Sequence, residues 1–234
     1  MDTTSDESDV PRITEGIFFT TPPKLPRGPH RLSREEVLTT HRERLMISFT
    51  ELVAANGYSD AGVREIVERS SVSRSAFYDC FDSKESCAEA AYGRFISVLV
   101  DRMMSHLVHR STQDVFRVLS TYFSALQSDL VVARAFQVEM DSAGSLTRVR
   151  RRTALRGVAE LLHAELRRHA QDDPDLDPDL SIDALVGIVY AVRQLASDML
   201  DTEVEPNLEA VVPRLAQWLD NSIHRSRPGG DTVH

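Results

Sequence analysis

The segment from Val63 to Lys84, VREIVERSSVSRSAFYDCFDSK, constrains this chain more than any other. Val63, Ile66 and Val67 recur at i, i+3 and i+4, which gives a short helix one stripe to bury. Ser73 then stands as an N-cap, with Val72 before it and Phe77 four residues after it. That hydrophobic-staple spacing fixes the angle at which a second helix starts. Phe77 and Phe81 point inward, leaving Arg74, Ser75, Ala76 and Tyr78 to face outward near the helix N-terminus. In a helix-turn-helix that end of the second helix enters the DNA major groove. The residues predict a DNA reader.

The flanking stretches extend the pattern. Gly57 and Tyr58 end a first helix, and Phe81, Lys84 and Glu85 open a fourth. From about residue 42 to 92 this ordered set resembles the N-terminal DNA-binding domain of TetR-family transcriptional regulators; beyond it the likeness is architectural. The resemblance implies an all-α fold: an N-terminal three-helix helix-turn-helix domain, then a helical C-terminal domain for ligand binding and dimerisation. It also implies that Tyr78 holds the DNA backbone through its hydroxyl and that Lys84 meets a phosphate. Three positions depart from the family pattern. Ala61 stands where Thr or Ser caps the second helix, leaving that role to Asp60. Ser71 occupies a left-handed turn position usually held by Gly, at a strain on the order of 1 kcal/mol. Asp79 and Cys80 replace residues that are often aromatic or His.

Among the outward residues Arg74 is the candidate for base reading, because a guanidinium can form two hydrogen bonds to guanine. Ser75 and Ala76 offer a hydroxyl and a methyl beside it, and Ser73 caps the reading helix. Arg42 and Arg64 read equally well as phosphate partners and as solvated side chains.

A length of 234 residues is ample for two domains. The net charge of −9 looks wrong for a DNA binder, but only the local patch meets phosphate. Residues 1–32 hold five prolines and no helical period, so an unstructured arm is expected there. Its basic end, with Lys24, Arg27 and Arg31, is either a solvated tail or an arm lying along DNA. Ser33 and Glu36 form a capping box that opens the first helix, and Gly57 closes it. The expected divisions are the arm, a DNA-binding domain with connecting helix over 33–104, a helical regulatory and dimerisation domain over 105–224, and a flexible tail over 225–234. In the second domain apolar spacing predicts helices near 112–128, 131–141, 145–169, 181–201 and 208–224, with QDDPDLDPD as an acidic, turn-rich break.

Met103, Met104, Phe116, Leu119, Phe123, Phe136, Met140, Tyr190 and Met199 are candidates to line a ligand cavity, though core packing explains such residues equally. The 181–201 helix is apolar almost all round and needs cover on several sides. With the last helix it suits a two-fold four-helix bundle, whose interface residues are Val189, Leu195, Leu215, Trp218 and Leu219. Arg148, Arg152 and Arg156 repeat one turn apart and read as a solvated stripe or an anion site. His106 and His109 lack further ligands, so neither a metal nor a cofactor is expected.

The longest apolar run, residues 184–192, is too short to span a membrane. Cys80 and Cys87 read as free thiols suited to a reducing cytoplasm. From the resemblance, the function expected is a homodimeric repressor that binds duplex operator DNA and is released by an apolar small molecule. A helical enzyme is a second reading, opposed by the lack of a Gly-rich phosphate loop, a G-x-S-x-G turn or a metal-ligand set. A helical scaffold whose reader has decayed is a third.

Overall fold

The computed structural model describes residues 10–23, 32–105, 113–142 and 145–224. Within them the chain forms α1 (Arg34–Asp60), α2 (Val63–Ser70), α3 (Arg74–Cys80), α4 (Lys84–Met104), α5 (Gln113–Ser128), α6 (Leu130–Gln137), α7 (Ser145–His169), α8 (Ile182–Thr202) and α9 (Val212–Ile223). Short 3-10 turns at Glu139–Ser142 and Leu208–Val211 precede α7 and α9. The all-α expectation holds, and the boundaries fall close to those read from the apolar period.

Local chemistry explains the N-terminal half. The Ser33 hydroxyl accepts from the Glu36 amide at 3.1 Å while the Glu36 carboxylate accepts from the Ser33 amide at 2.7 Å, so α1 opens on the expected capping box. Gly57 at φ 79° interrupts the helical path near its end, a conformation that costs little without a Cβ. Ser71 takes φ 54°, the left-handed position expected of it, and turns the chain out of α2. Ser73 accepts from the Ala76 amide at 3.2 Å and starts α3. Phe49, Val53, Ile66, Phe77 and Ala91 close these helices over a solid core. Burial pushes the Cys87 thiol up to about 12, as suits a packed, unreactive side chain. One expectation fails here: α2 is preceded by Gly62 with no side-chain cap, and Asp60 remains in the last turn of α1.

In the second half α7 packs on α8 through Ala159, Leu185 and Val189. α9 packs on α5, and α6 lies against both α8 and α1. The acidic break is tied down, since the Asp177 amide donates to the Ile223 carbonyl at 2.9 Å.

Residues 10–23 correct the expectation of an unstructured arm. Phe18 and Phe19 are both fully buried, and the Phe18 ring lies 5.3 Å from that of Phe95 on α4. The Ile13 amide donates to Glu51 Oε1 at 3.0 Å, and the Thr14 amide to Asp129 Oδ2 at 2.9 Å. Arg69 pairs with Glu51 at 2.6 Å and reaches the carbonyls of Val10 and Pro11 at 3.3 Å. Two adjacent phenylalanines carry no helical period, yet burying each is worth about 1.5–3 kcal/mol. The segment is a strap across α1, α2, α4 and α6. Lys24, Arg27 and Arg31 lie outside the described residues, as do His106, His109 and the 225–234 tail.

Candidate nucleic-acid interface and inner cavity

The turn at Ser71 and the cap at Ser73 set α3 so that Phe77 and Cys80 face the core. Arg74, Ser75 and Tyr78 are exposed on the opposite side, with Ala76 half-buried between them. The Arg74 guanidinium carbon lies 6.0 Å from the Tyr78 ring centre, so cation and aromatic share one outward patch. Ser73 spends its hydroxyl on the cap and on Ser75 Oγ at 3.1 Å. Arg64 is exposed on α2.

Two further candidates are placed differently. Arg42 donates to the Cys80 carbonyl at the end of α3 and stacks 4.3 Å from the Phe81 ring centre. Lys84 donates to the Tyr58 carbonyl at 3.0 Å and sits 4.2 Å from that ring. Both cations brace the reader from behind. The outward charges are mixed, since Glu65, Glu68, Asp79 and Asp82 are exposed beside Arg64 and Arg74. Such a surface gives little nonspecific attraction to phosphate.

Behind the reader the second half encloses a cavity of about 450 Å³, within the range of small-molecule sites. Its walls come from α4, α5, α7, α8 and the end of α9. Met103, Met104 and Leu119 line it as expected. The other six candidates do not. Phe123, Phe136 and Met140 are spent in the solid core, Met199 packs against that core, and Phe116 and Tyr190 are exposed. Of the expected dimer residues, Leu195 and Trp218 are exposed, whereas Leu215 is buried within its own chain and Val189 and Leu219 line the cavity.

Three polar residues that the sequence did not mark reach the cavity wall at its closed end: Tyr122, Gln137 and Arg193, all buried. Arg193 and Ser197 donate to the Gln137 carbonyl at 2.8 and 3.0 Å. Burial pushes the Tyr122 hydroxyl well above its ordinary range, a shift the nearby Arg193 charge opposes. The only signal available in sequence was a polar residue inside an apolar run, as in AFQ at 135–137. The opposite end is exposed and acidic, bordered by Asp172, Asp173 and Pro174. The arginine stripe on α7 is partly paired: Arg150 meets Glu89 at 3.0 Å and Arg156 meets Glu160 at 3.2 Å.

Among the described residues no group of three His, Cys, Asp or Glu could hold a metal, and no helix is long and apolar enough to cross a membrane.

Residues 50–91 match the family model described as bacterial regulatory proteins, tetR family. No curated protein matches the chain in sequence. Among solved structures it is similar to the fatty acid degradation regulator FadR from Bacillus halodurans, with a TM-score of 0.70 and 18% identity over 83% of this chain and 97% of that one. It is also similar to FadR from Bacillus subtilis in complex with stearoyl-CoA, with a TM-score of 0.69 and 19% identity over 77% and 98% of the two chains. The ketosteroid regulator KstR2 of Mycobacterium tuberculosis gives a TM-score of 0.56 at 14% identity over 79% and 95%. At these identities the likeness is one of fold.

Proposed function

This chain is a TetR-family transcriptional regulator with a DNA-binding helix-turn-helix, and we propose that it acts as a homodimeric repressor which leaves its operator when an apolar molecule fills the inner cavity. The observation that carries the reading is the sharing of α4. Its first residue, Lys84, is bonded to Tyr58 beside the reader, while Tyr92, Phe95, Leu99 and Met103 further along wall the cavity. A ligand that prefers one setting of this helix must shift the reader by the same free energy. The stearoyl-CoA found with the Bacillus subtilis regulator supports a long apolar chain as the class of effector.

Arg74 is assigned to a base, with Ser75 and Ala76 beside it and Tyr78 on the backbone. Arg64 is assigned to phosphate. Arg42 and Lys84 hold the reader's shape and contribute to DNA binding through it. Dimerisation is assigned to the exposed apolar residues of α8 and α9, with Leu195 and Trp218 at its centre. Two such heads fit one operator when a rigid dimer spaces them by about 34–36 Å or a multiple of it.

The test is sedimentation together with retardation of duplex DNA from upstream of the chain's own gene. A dimer that retards this DNA specifically, and loses retardation when a long-chain ligand is added, supports the reading. A monomer, or DNA binding indifferent to sequence, contradicts it.

A further inference from the structure

The cavity is apolar along most of its length, yet two polar atoms at its closed end lack partners. Neither the Tyr122 hydroxyl nor Gln137 Oε1 makes a hydrogen bond, although both atoms are buried and both residues line the cavity. Their residues are 8% and 4% exposed, so bulk water does not reach them. Buried polar atoms left without partners are rare in native structures, and each such group calls for an account. A pair of them side by side, one able to donate and the other only to accept, is complementary to a group that does both.

We propose that the effector is a long aliphatic molecule ending in an O–H group, an alcohol or a protonated carboxylic acid, which accepts from the Tyr122 hydroxyl and donates to Gln137 Oε1. This rests on the cavity being the effector site. The body of the molecule lies along α7, where lining residues run from Ala154 to His169. At 1.5 Å per residue that is about 22 Å of helix. The outer end meets Asp172 and Asp173, in a nine-residue break with five aspartates and no Lys or Arg. An acidic rim of this kind disfavours a polyphosphate at the mouth. The free alcohol or acid is therefore the expected form, and its coenzyme A thioester is not.

N-phenyl-1-naphthylamine, a neutral dye that fluoresces in apolar sites, tests the two levels separately. The dye should bind the wild-type protein. Hexadecan-1-ol or hexadecanoic acid should displace it about tenfold better than methyl hexadecanoate, which cannot donate, and better than hexadecanoyl-CoA. The alcohol and acid arms distinguish the two sources of the O–H group. Tyr122→Phe and Gln137→Leu should each abolish that advantage and leave dye binding unchanged. Tyr122→Phe should also melt no lower than wild type, because it removes a hydroxyl with no partner. Dye binding with equal displacement by all four chains, with preference for the thioester, or with an advantage that survives both variants, overturns the proposal and spares the cavity reading. Absence of dye binding overturns both.

Discussion

The reading head and the cavity half use similar side chains to opposite ends. In the head, Phe49, Val53, Ile66 and Phe77 meet from three helices and leave no room, and the turns around them are fixed by Gly57, Ser71 and Ser73. In the second half Leu99, Leu119, Val158 and Val189 surround a hollow of about 450 Å³. A DNA reader needs one rigid geometry, and close packing supplies it. A ligand-controlled domain needs a state that something else completes. The strap of residues 10–23 touches both: Arg69 of α2 holds its start, and Phe18 packs on Phe95, a cavity wall.

The contrast can be broken by truncation. Deleting residues 1–19 removes two fully buried phenylalanines and the bonds to Glu51 and Asp129, so urea unfolding should show a loss of roughly 4 kcal/mol or more. A truncated protein that unfolds with the full chain would return this segment to the status of a tail. In the solid head Phe77→Ala should cost about 3–5 kcal/mol. Val158→Ala, on the cavity wall, should cost under about 1.5 kcal/mol, because fewer atoms surround it. Equal losses at the two sites would remove the distinction.

A smaller effect belongs to Asp129, which caps α6 and receives the strap. Burial raises its carboxyl to about 6, against the amides of Val132, Thr14 and Val131, and the charge of Glu51 adds to the rise. A carboxyl raised in the folded state contributes stability that is complete below its unfolded pKa and is lost as pH climbs through the folded value. Between about pH 4 and 6 this group should therefore remove roughly 2–3 kcal/mol. Asp129→Asn should flatten that slope in denaturation curves; an unchanged slope would place the titration elsewhere. Least of all, Ser71→Gly should raise stability by about 0.5–1 kcal/mol by easing φ 54°. A loss on that substitution would show that the Ser71 side chain holds the turn.

Legibility followed the range of the interactions. Ser33, Gly57, Ser71 and Ser73 act on backbone within a few residues, so the helix ends and the reader could be read from sequence. The strap could not, because Phe18 and Phe19 have no period and their segment's partners, Glu51 and Asp129, lie far along the chain. The cavity was legible only in part, since a wall residue such as Leu119 and a core residue such as Phe123 sit on the same amphipathic helix. Leu215 misled for the same reason: an apolar position facing its own chain looks like one facing a partner, so Leu215→Asp would damage the monomer rather than separate a dimer. Arg42 and Lys84 misled because a cation beside a reader fits phosphate and an internal carbonyl equally well.

The central claim is that the outward face of α3 reads sequence. Selection of duplexes from a random pool, followed by titration of the selected site, tests it most directly. The wild-type protein should enrich one site with two related halves. Arg74→Ala should bind it more weakly by about 1–3 kcal/mol and relax preference at one base in each half. A pool that remains random under the wild-type protein, or an Arg74→Ala protein with unchanged base preference, would contradict it.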